Sequence, residues 1–136
     1  MTARPVSRPV PVPSGIAGEG ARPAAALLLA QFAGMWGAFF ILAPAIDWPA
    51  SLDRPPAEIL PLIVEQAGPV FAGYLSYLIH ALILIPLAVL LPRALRMAPG
   101  LATATVVLGV LAGLAKALGI LRWLFLMPGL AVAAAA

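Results

Sequence analysis

The sequence predicts an all-α integral membrane protein: a helical bundle of three antiparallel transmembrane helices with a short extracytoplasmic interfacial helix. Hydrophobic residues make up 63% of the 136 residues and charged residues only 10%. A soluble domain carries about 25% charged residues, so this chain lacks the polar surface of a water-soluble globule. Three apolar runs are long enough to cross a bilayer, and they cover residues 24–46, 70–91 and 101–123.

Residues 1–23 precede the first apolar run and are rich in Pro, Gly, Ser and Arg. Each proline fixes φ and removes a backbone donor, so neither a helix nor a sheet can propagate. The segment also has no apolar face to bury. We therefore predict a disordered cytoplasmic tail, followed by one transmembrane helical domain over residues 24–136.

The first span, residues 24–46, combines small residues with one amide. The small residues recur at every fourth position, at Ala30, Gly34 and Ala38, and such a stripe lets another helix approach closely. Gln31 lies within the apolar run. An unpaired amide there is costly, so we expect Gln31 to face another helix. The run is longer than the apolar core of a signal peptide, which favours an uncleaved span.

The first connection, residues 47–69, holds four of the five acidic residues. Trp48 stands where an interfacial indole is expected. Residues 56–66 alternate with helical period between apolar residues and Glu58, Glu65 and Gln66. This pattern predicts a short helix on the membrane surface or over the outer end of the bundle. Glu58 and Glu65 could form a catalytic pair, but we favour the interpretation that they are solvated residues on the polar face of this helix.

The second span carries Tyr77 and His80, which share a helix face because they are three residues apart. A lone membrane histidine can act as a proton relay, ligand or sensor. We favour a neutral histidine that is hydrogen-bonded to a carbonyl or to Gln31. Depth along the helices places Gln31 and His80 near one level, so a shared polar pocket is an open alternative.

Arginine is distributed unevenly between the two sides of the predicted bundle. Three arginines lie in the tail and two in the turn at 92–100, but only Arg54 lies in the first connection. By the positive-inside rule, the N-terminus and the 92–100 turn are cytoplasmic and the acidic connection is outside. The simple targeting layout favours a bacterial inner membrane.

The third span contains a GxxxG motif extended by one alanine, at Gly109, Gly113 and Ala117, which we interpret as a helix contact. Lys116 lies at the depth of Tyr77 by helical rise, so a contact between them is one hypothesis. The favoured interpretation is that Lys116 snorkels to the outer interface along its aliphatic stem. Arg122 and Trp123 then mark that interface, and the Pro-Gly pair at 128–129 is expected to turn the chain back.

The run from Gly113 to Ala131 reads GLAKALGILRWLFLMPGLA. Its pattern GL…ALGxxRWxFxxPxLA resembles an uncharacterised family of small bacterial multi-pass inner-membrane proteins, known only as a domain of unknown function. The resemblance singles out Arg122, Trp123 and Pro128 as pattern positions and implies no activity. Members of that family continue into further membrane helices, so we expect this chain to be an N-terminal portion of a longer protein.

Several functional classes are disfavoured by what the sequence lacks. It contains no cysteine, which excludes disulfides and thiolate chemistry. One histidine and few carboxylates argue against a metal site or cofactor. There is no phosphate-binding glycine loop, HExxH motif or nucleophile elbow, so we expect no catalytic residue. The charges form no basic face with interleaved aromatics, which argues against nucleic acid.

The sequence therefore predicts a non-enzymatic multi-pass membrane protein of unknown activity. We expect it to act in the lipid bilayer through helix packing with further helices, with a second copy or with another membrane subunit. The alternative is a small transporter or proton-relay component that uses the intramembrane polar residues Gln31, Tyr77, His80 and Lys116.

Overall fold

The computed structural model describes residues 20–135, which are mostly helical and contain no strand. The helices are α1 (Ala21–Ile46), α2 (Pro56–Glu65), α3 (Ala67–Ala94), α4 (Pro99–Leu121) and α5 (Met127–Ala135); a 3₁₀ turn at Ala50–Asp53 and a π-helical turn at Arg122–Leu126 complete the chain. Three stretches are long and apolar enough to cross a membrane, at Ala21–Ile46, Ala67–Ala94 and Pro99–Ala134. The predicted all-α membrane bundle is confirmed.

The first two spans begin three residues earlier than predicted, at Ala21 and Ala67. In both helices a proline occupies the third position, Pro23 or Pro69. The N–H groups of a first helical turn have no intrahelical acceptor, so proline costs no hydrogen bond there. These prolines therefore lie inside the helices and do not delimit them. Most of the predicted tail, residues 1–19, lies outside the described residues.

The three long helices form a single layer with α3 in the middle. Helix α3 contacts both α1 and α4, whereas α1 and α4 make little direct contact with each other. Neighbours run antiparallel, because later residues of one helix meet earlier residues of the next. A Cβ atom added at Gly34 would lie 3.1 Å from the His80 Cβ, and one added at Gly73 would lie 2.5 Å from the Leu42 Cγ. These short distances show that the backbones of α1 and α3 lie close together at both glycines.

The contact surface of α1 differs in register from the predicted small-residue stripe. Gln31, Ala38 and Leu42 are buried, and Gly34 packs against His80, whereas Ala30 is only half-buried at the edge. With 3.6 residues per turn, a strict fourth-residue row drifts around the helix. The contact surface therefore shares Gly34 and Ala38 with the predicted stripe and includes Gln31 in place of Ala30.

The glycine stripe of α4 lies against α3. A Cβ at Gly113 would lie 2.8 Å from the Ile85 Cγ1 and 3.2 Å from the Ala81 carbonyl oxygen, and one at Gly109 would clash with the Ala88 Cβ. Ala117 is buried in the same row. The GxxxG motif is thus used within the chain.

Helix α2 is the amphipathic helix that the sequence predicted. Ile59 and Ile63 are buried, whereas Glu58 and Glu65 are exposed. Helix α2 packs against α5, at the end of the bundle that carries the first connection. Much of the buried core lies at this end of the bundle. Both glutamates are nevertheless exposed, so burial gives no support to a catalytic pair.

The expected turn at Pro128-Gly129 is wrong, because the chain continues as helix through both residues. Inside an α-helix, proline clashes with the carbonyl one turn earlier. Here the turn before Pro128 is π-helical, with the Met127 N–H bonded to the Arg122 carbonyl, and its wider ring accommodates the proline. The stretch Pro99–Ala134 is about 54 Å long, well beyond the roughly 30 Å hydrocarbon core.

Candidate functional site

A line of polar atoms crosses the helix layer from α4 through α3 to α1. The Lys116 Nζ lies 2.8 Å from the His80 Nε2, and the His80 Nδ1 lies 2.9 Å from the Gln31 carbonyl oxygen. A carbonyl only accepts, so Nδ1–H is the donor to Gln31 and Nε2 accepts from the Lys116 ammonium. These two hydrogen bonds join all three long helices at one level.

Tyr77 completes the surroundings of the lysine. The Lys116 Nζ lies 4.4 Å from the centre of the Tyr77 ring, which is cation–π geometry. The Tyr77 and His80 rings stack with centroids 5.6 Å apart. The contact between Lys116 and Tyr77, which was the less favoured of the two interpretations, is present, and the half-buried lysine directs its ammonium to two side chains of α3.

Gln31 joins the line through its backbone and not through its amide. The residue is 8% exposed, and among residues 20–135 its Nε2 has no hydrogen-bond partner. A backbone carbonyl does not take up and release a proton as a side chain does, so the line ends there. The histidine bonded to a carbonyl is the arrangement that the sequence favoured.

A second hydrogen bond between α3 and α1 was not anticipated. The Ser76 Oγ donates to the Gly34 carbonyl oxygen at 3.1 Å. Ser76 precedes His80 by one helical turn, so the two side chains lie on the same face. Ser76 and His80 lie against Gly37 and Gly34 of α1. Two polar residues one turn apart in one span, and two glycines about one turn apart in another, are the sequence signal that could have located this interface.

A group of aromatic residues lies beside the polar line, nearer to the first connection. The Tyr74 and Trp123 rings stack with centroids 4.9 Å apart, and the Trp48 ring meets the Tyr77 ring edge-on at 5.7 Å. The Arg122 guanidinium lies 5.9 Å from the Trp123 ring. Trp48 and Trp123 are half-buried, whereas Arg122 is exposed.

These residues surround an open cleft of about 270 Å³ between α3, α4 and the first connection. Lys116 and Arg122 both line it. Tyr74 also lines it, is 2% exposed, and carries a hydroxyl with no hydrogen-bond partner within the described chain. Tyr74 contributes to the more polar outer half of the second span, but it was not among the candidate site residues, because a tyrosine in an apolar run is common at membrane interfaces.

Metal chemistry finds no geometric support in the part of the chain that the structure describes. No three His, Asp or Glu side chains in residues 20–135 are grouped to hold a metal ion. The carboxylate of Asp47 pairs with Arg54 in the first connection. The polar line itself consists of an ammonium, an imidazole and a carbonyl, a set suited to holding helices together or to placing positive charge.

Comparison with protein families gives one match. A family model described as a domain of unknown function (DUF4386) matches residues 24–136. No curated protein and no solved structure matches the chain. The family match spans all three membrane-crossing stretches, and it confirms the resemblance inferred from the pattern around Arg122 and Trp123.

Proposed function

This chain belongs to the DUF4386 family of domains of unknown function, and on that premise we propose that it is a non-enzymatic membrane protein that acts by packing its helices against further membrane helices. Those helices belong to a second copy or to another membrane subunit. The observation that carries the proposal is the single-layer arrangement, in which α1 and α4 each contact α3 and make little contact with each other. Each outer helix thus keeps a wide uncovered face.

The uncovered face of α1 carries a ridge of large aromatic rings. Phe32, Trp36 and Phe40 are 65%, 43% and 68% exposed, and Trp36 lies with its ring centroid 6.0 Å from that of Phe32 and 5.6 Å from that of Phe40. Between helices in lipid, van der Waals packing replaces the hydrophobic driving force. A ridge of mutually packed rings supplies much of that contact, which supports α1 as the helix that meets another subunit.

Single-cysteine crosslinking tests this packing, because the sequence contains no native cysteine. Ala33 is exposed beside the ridge, and Ala33→Cys is expected to give a disulfide-linked dimer on oxidation in native membranes. If the neighbour is another subunit, a photoreactive residue at position 33 is expected to give one discrete heavier product. The matched control is Ala38→Cys, which changes a fully buried residue of the same helix and should give neither. Absence of both products at position 33 contradicts the proposal.

We further propose that the N-terminus and the turn between α3 and α4 face the cytoplasm of a bacterial inner membrane. The excess of arginine in the tail and in that turn supports this orientation. Reporter fusions after Leu52 and after Arg96 are expected to give an external and a cytoplasmic signal, respectively. The opposite pair of signals contradicts the orientation.

A proton-relay component is the second candidate, and the 2.8 Å contact between the Lys116 Nζ and the His80 Nε2 favours it. Proton exchange between two nitrogens is feasible at hydrogen-bond distance. In proteoliposomes, a relay predicts proton flux that His80→Phe abolishes while the protein stays folded. Helix packing predicts no flux in either protein.

A further inference from the structure

We propose that the cleft between α3, α4 and the first connection is a binding site for an oxyanion, a phosphate or carboxylate group. The inference is independent of the helix-packing function and rests on three features of the cleft. It is lined by two cations, it is lined by a tyrosine whose buried hydroxyl has no partner among the described residues, and it has aromatic walls with one open side.

The charge of the cleft is positive. Lys116 and Arg122 line it, and no acidic side chain does. An ammonium has three donors and a guanidinium has five. Lys116 uses one donor on the His80 Nε2, and the Arg122 guanidinium lies exposed beside the Trp123 ring. Both cations therefore have donors that the polar line does not use and that an oxyanion in the cleft can accept from.

The hydroxyl of Tyr74 is the independent observation. It is buried and has no hydrogen-bond partner among the described residues, although buried polar groups in proteins are almost always paired. Tyr74 lines the same cleft as the two cations. An oxyanion bound there supplies the missing acceptor, since carboxylate and phosphate oxygens accept from hydroxyl groups.

The walls of the cleft define what can enter. Trp48, Tyr77 and Trp123 provide apolar surfaces, and in such surroundings a charge-assisted hydrogen bond is stronger than in water. The side at Gly119 is open, because no atom would lie within 4 Å of a Cβ placed there. About 270 Å³ suits a phosphate or carboxylate group with a few attached atoms. The source is either the headgroup of an anionic lipid or a small soluble anion.

Tryptophan fluorescence can report on this cleft directly. The sequence has three tryptophans, of which Trp48 and Trp123 line the cleft and Trp36 lies on α1. In a Trp36→Phe background, both remaining indoles therefore report on the site. The full chain is placed in phosphatidylcholine nanodiscs and titrated with inorganic phosphate in one arm. In the other arm, the fraction of phosphatidylglycerol in the nanodisc is raised.

A saturable change in emission is expected in the phosphate arm for a soluble anion or in the phosphatidylglycerol arm for a lipid headgroup. Arg122→Gln is expected to raise the half-saturation point about tenfold, because it removes a charge-assisted hydrogen bond. Tyr74→Phe is expected to raise it about fivefold through loss of one neutral donor. Arg93→Gln, at the opposite end of α3, is the control and should leave it unchanged.

The proposal is overturned if neither arm gives a saturable change, or if sodium chloride at equal ionic strength reproduces it. It is also overturned if folded Arg122→Gln, verified by circular dichroism, responds like the parent protein. Because Arg122 is exposed, its substitution removes no core packing. Every protein compared in this test carries Trp36→Phe and the emission comes from Trp48 and Trp123, whereas the crosslinking experiment keeps Trp36, so the two outcomes are separate.

Discussion

Gly73→Ala is expected to lower the free energy of unfolding by about 2–3 kcal/mol. The added Cβ would lie 2.5 Å from the Leu42 Cγ and 2.6 Å from its Cδ2. Leu42 is fully buried, and its Cγ is a branch point close to the backbone, so it cannot swing away as a flexible chain end can. Either α1 and α3 separate or Leu42 leaves its rotamer. Equilibrium unfolding in mixed detergent micelles, followed by circular dichroism, measures the change.

Gly119→Ala is the matched control for this prediction. Both glycines lie within membrane-spanning helices, but no atom lies within 4 Å of a Cβ placed at Gly119. Alanine is a better helix former than glycine by up to about 1 kcal/mol, so Gly119→Ala should be neutral or stabilising. Equal stability of Gly73→Ala and Gly119→Ala would mean that α1 and α3 do not approach as closely as described.

The membrane fold was predictable because bilayer crossing imposes a strong and local signal. Length and hydropathy alone located α1, α3 and the first part of α4, and amphipathic spacing located α2 with Ile59 and Ile63 on its buried side. The helix ends were less predictable, since Pro23 and Pro69 were taken as boundaries. In the first turn of a helix a proline removes no intrahelical hydrogen bond, so neither residue marks a helix end.

The continuation beyond Leu121 could not be predicted from residue type. A Pro-Gly pair is ordinarily a signal for a turn. At Pro128 the π-helical turn removes the clash, and α5 gains contact with α2. That compensation depends on a neighbour about seventy residues earlier in the chain, which no local pattern reveals.

The candidate site was partly predictable. Depth counting placed Lys116 beside Tyr77, and the lone histidine was expected on a carbonyl. Helical rise gives the depth of a residue but not the rotation of its helix. It could therefore not predict that His80 bonds to the backbone carbonyl of Gln31 and not to its side-chain amide. The position of Tyr74 in the cleft could not be predicted, because it depends on stacking with Trp123, a residue of a distant segment of the chain.

The polar line leads to the second large expected effect. His80→Phe alone is expected to destabilise the protein by about 2 kcal/mol, because it leaves the Lys116 ammonium without its acceptor in apolar surroundings. Lys116→Leu alone should cost less, since the imidazole keeps its bond to the Gln31 carbonyl. Together, the two substitutions replace the polar contact with an apolar one, so the double variant should return to within about 1 kcal/mol of the parent protein.

Phenylalanine at position 80 retains a ring that can stack on Tyr77, so the comparison isolates the hydrogen bonds from the packing. Thr103→Val is the control for the effect of replacing a polar side chain by an apolar one in a membrane-spanning helix. Its hydroxyl donates to the Pro99 carbonyl within its own helix, so the change removes no contact between helices among the described residues and should be small.

The coupling free energy between His80 and Lys116, taken from these four proteins in mixed-micelle unfolding, tests the central claim that the polar line holds the three helices together. We expect a coupling of about 1–2 kcal/mol, with the double variant more stable than His80→Phe alone. Additive effects of the two substitutions, with the double variant the least stable of the four, would contradict it.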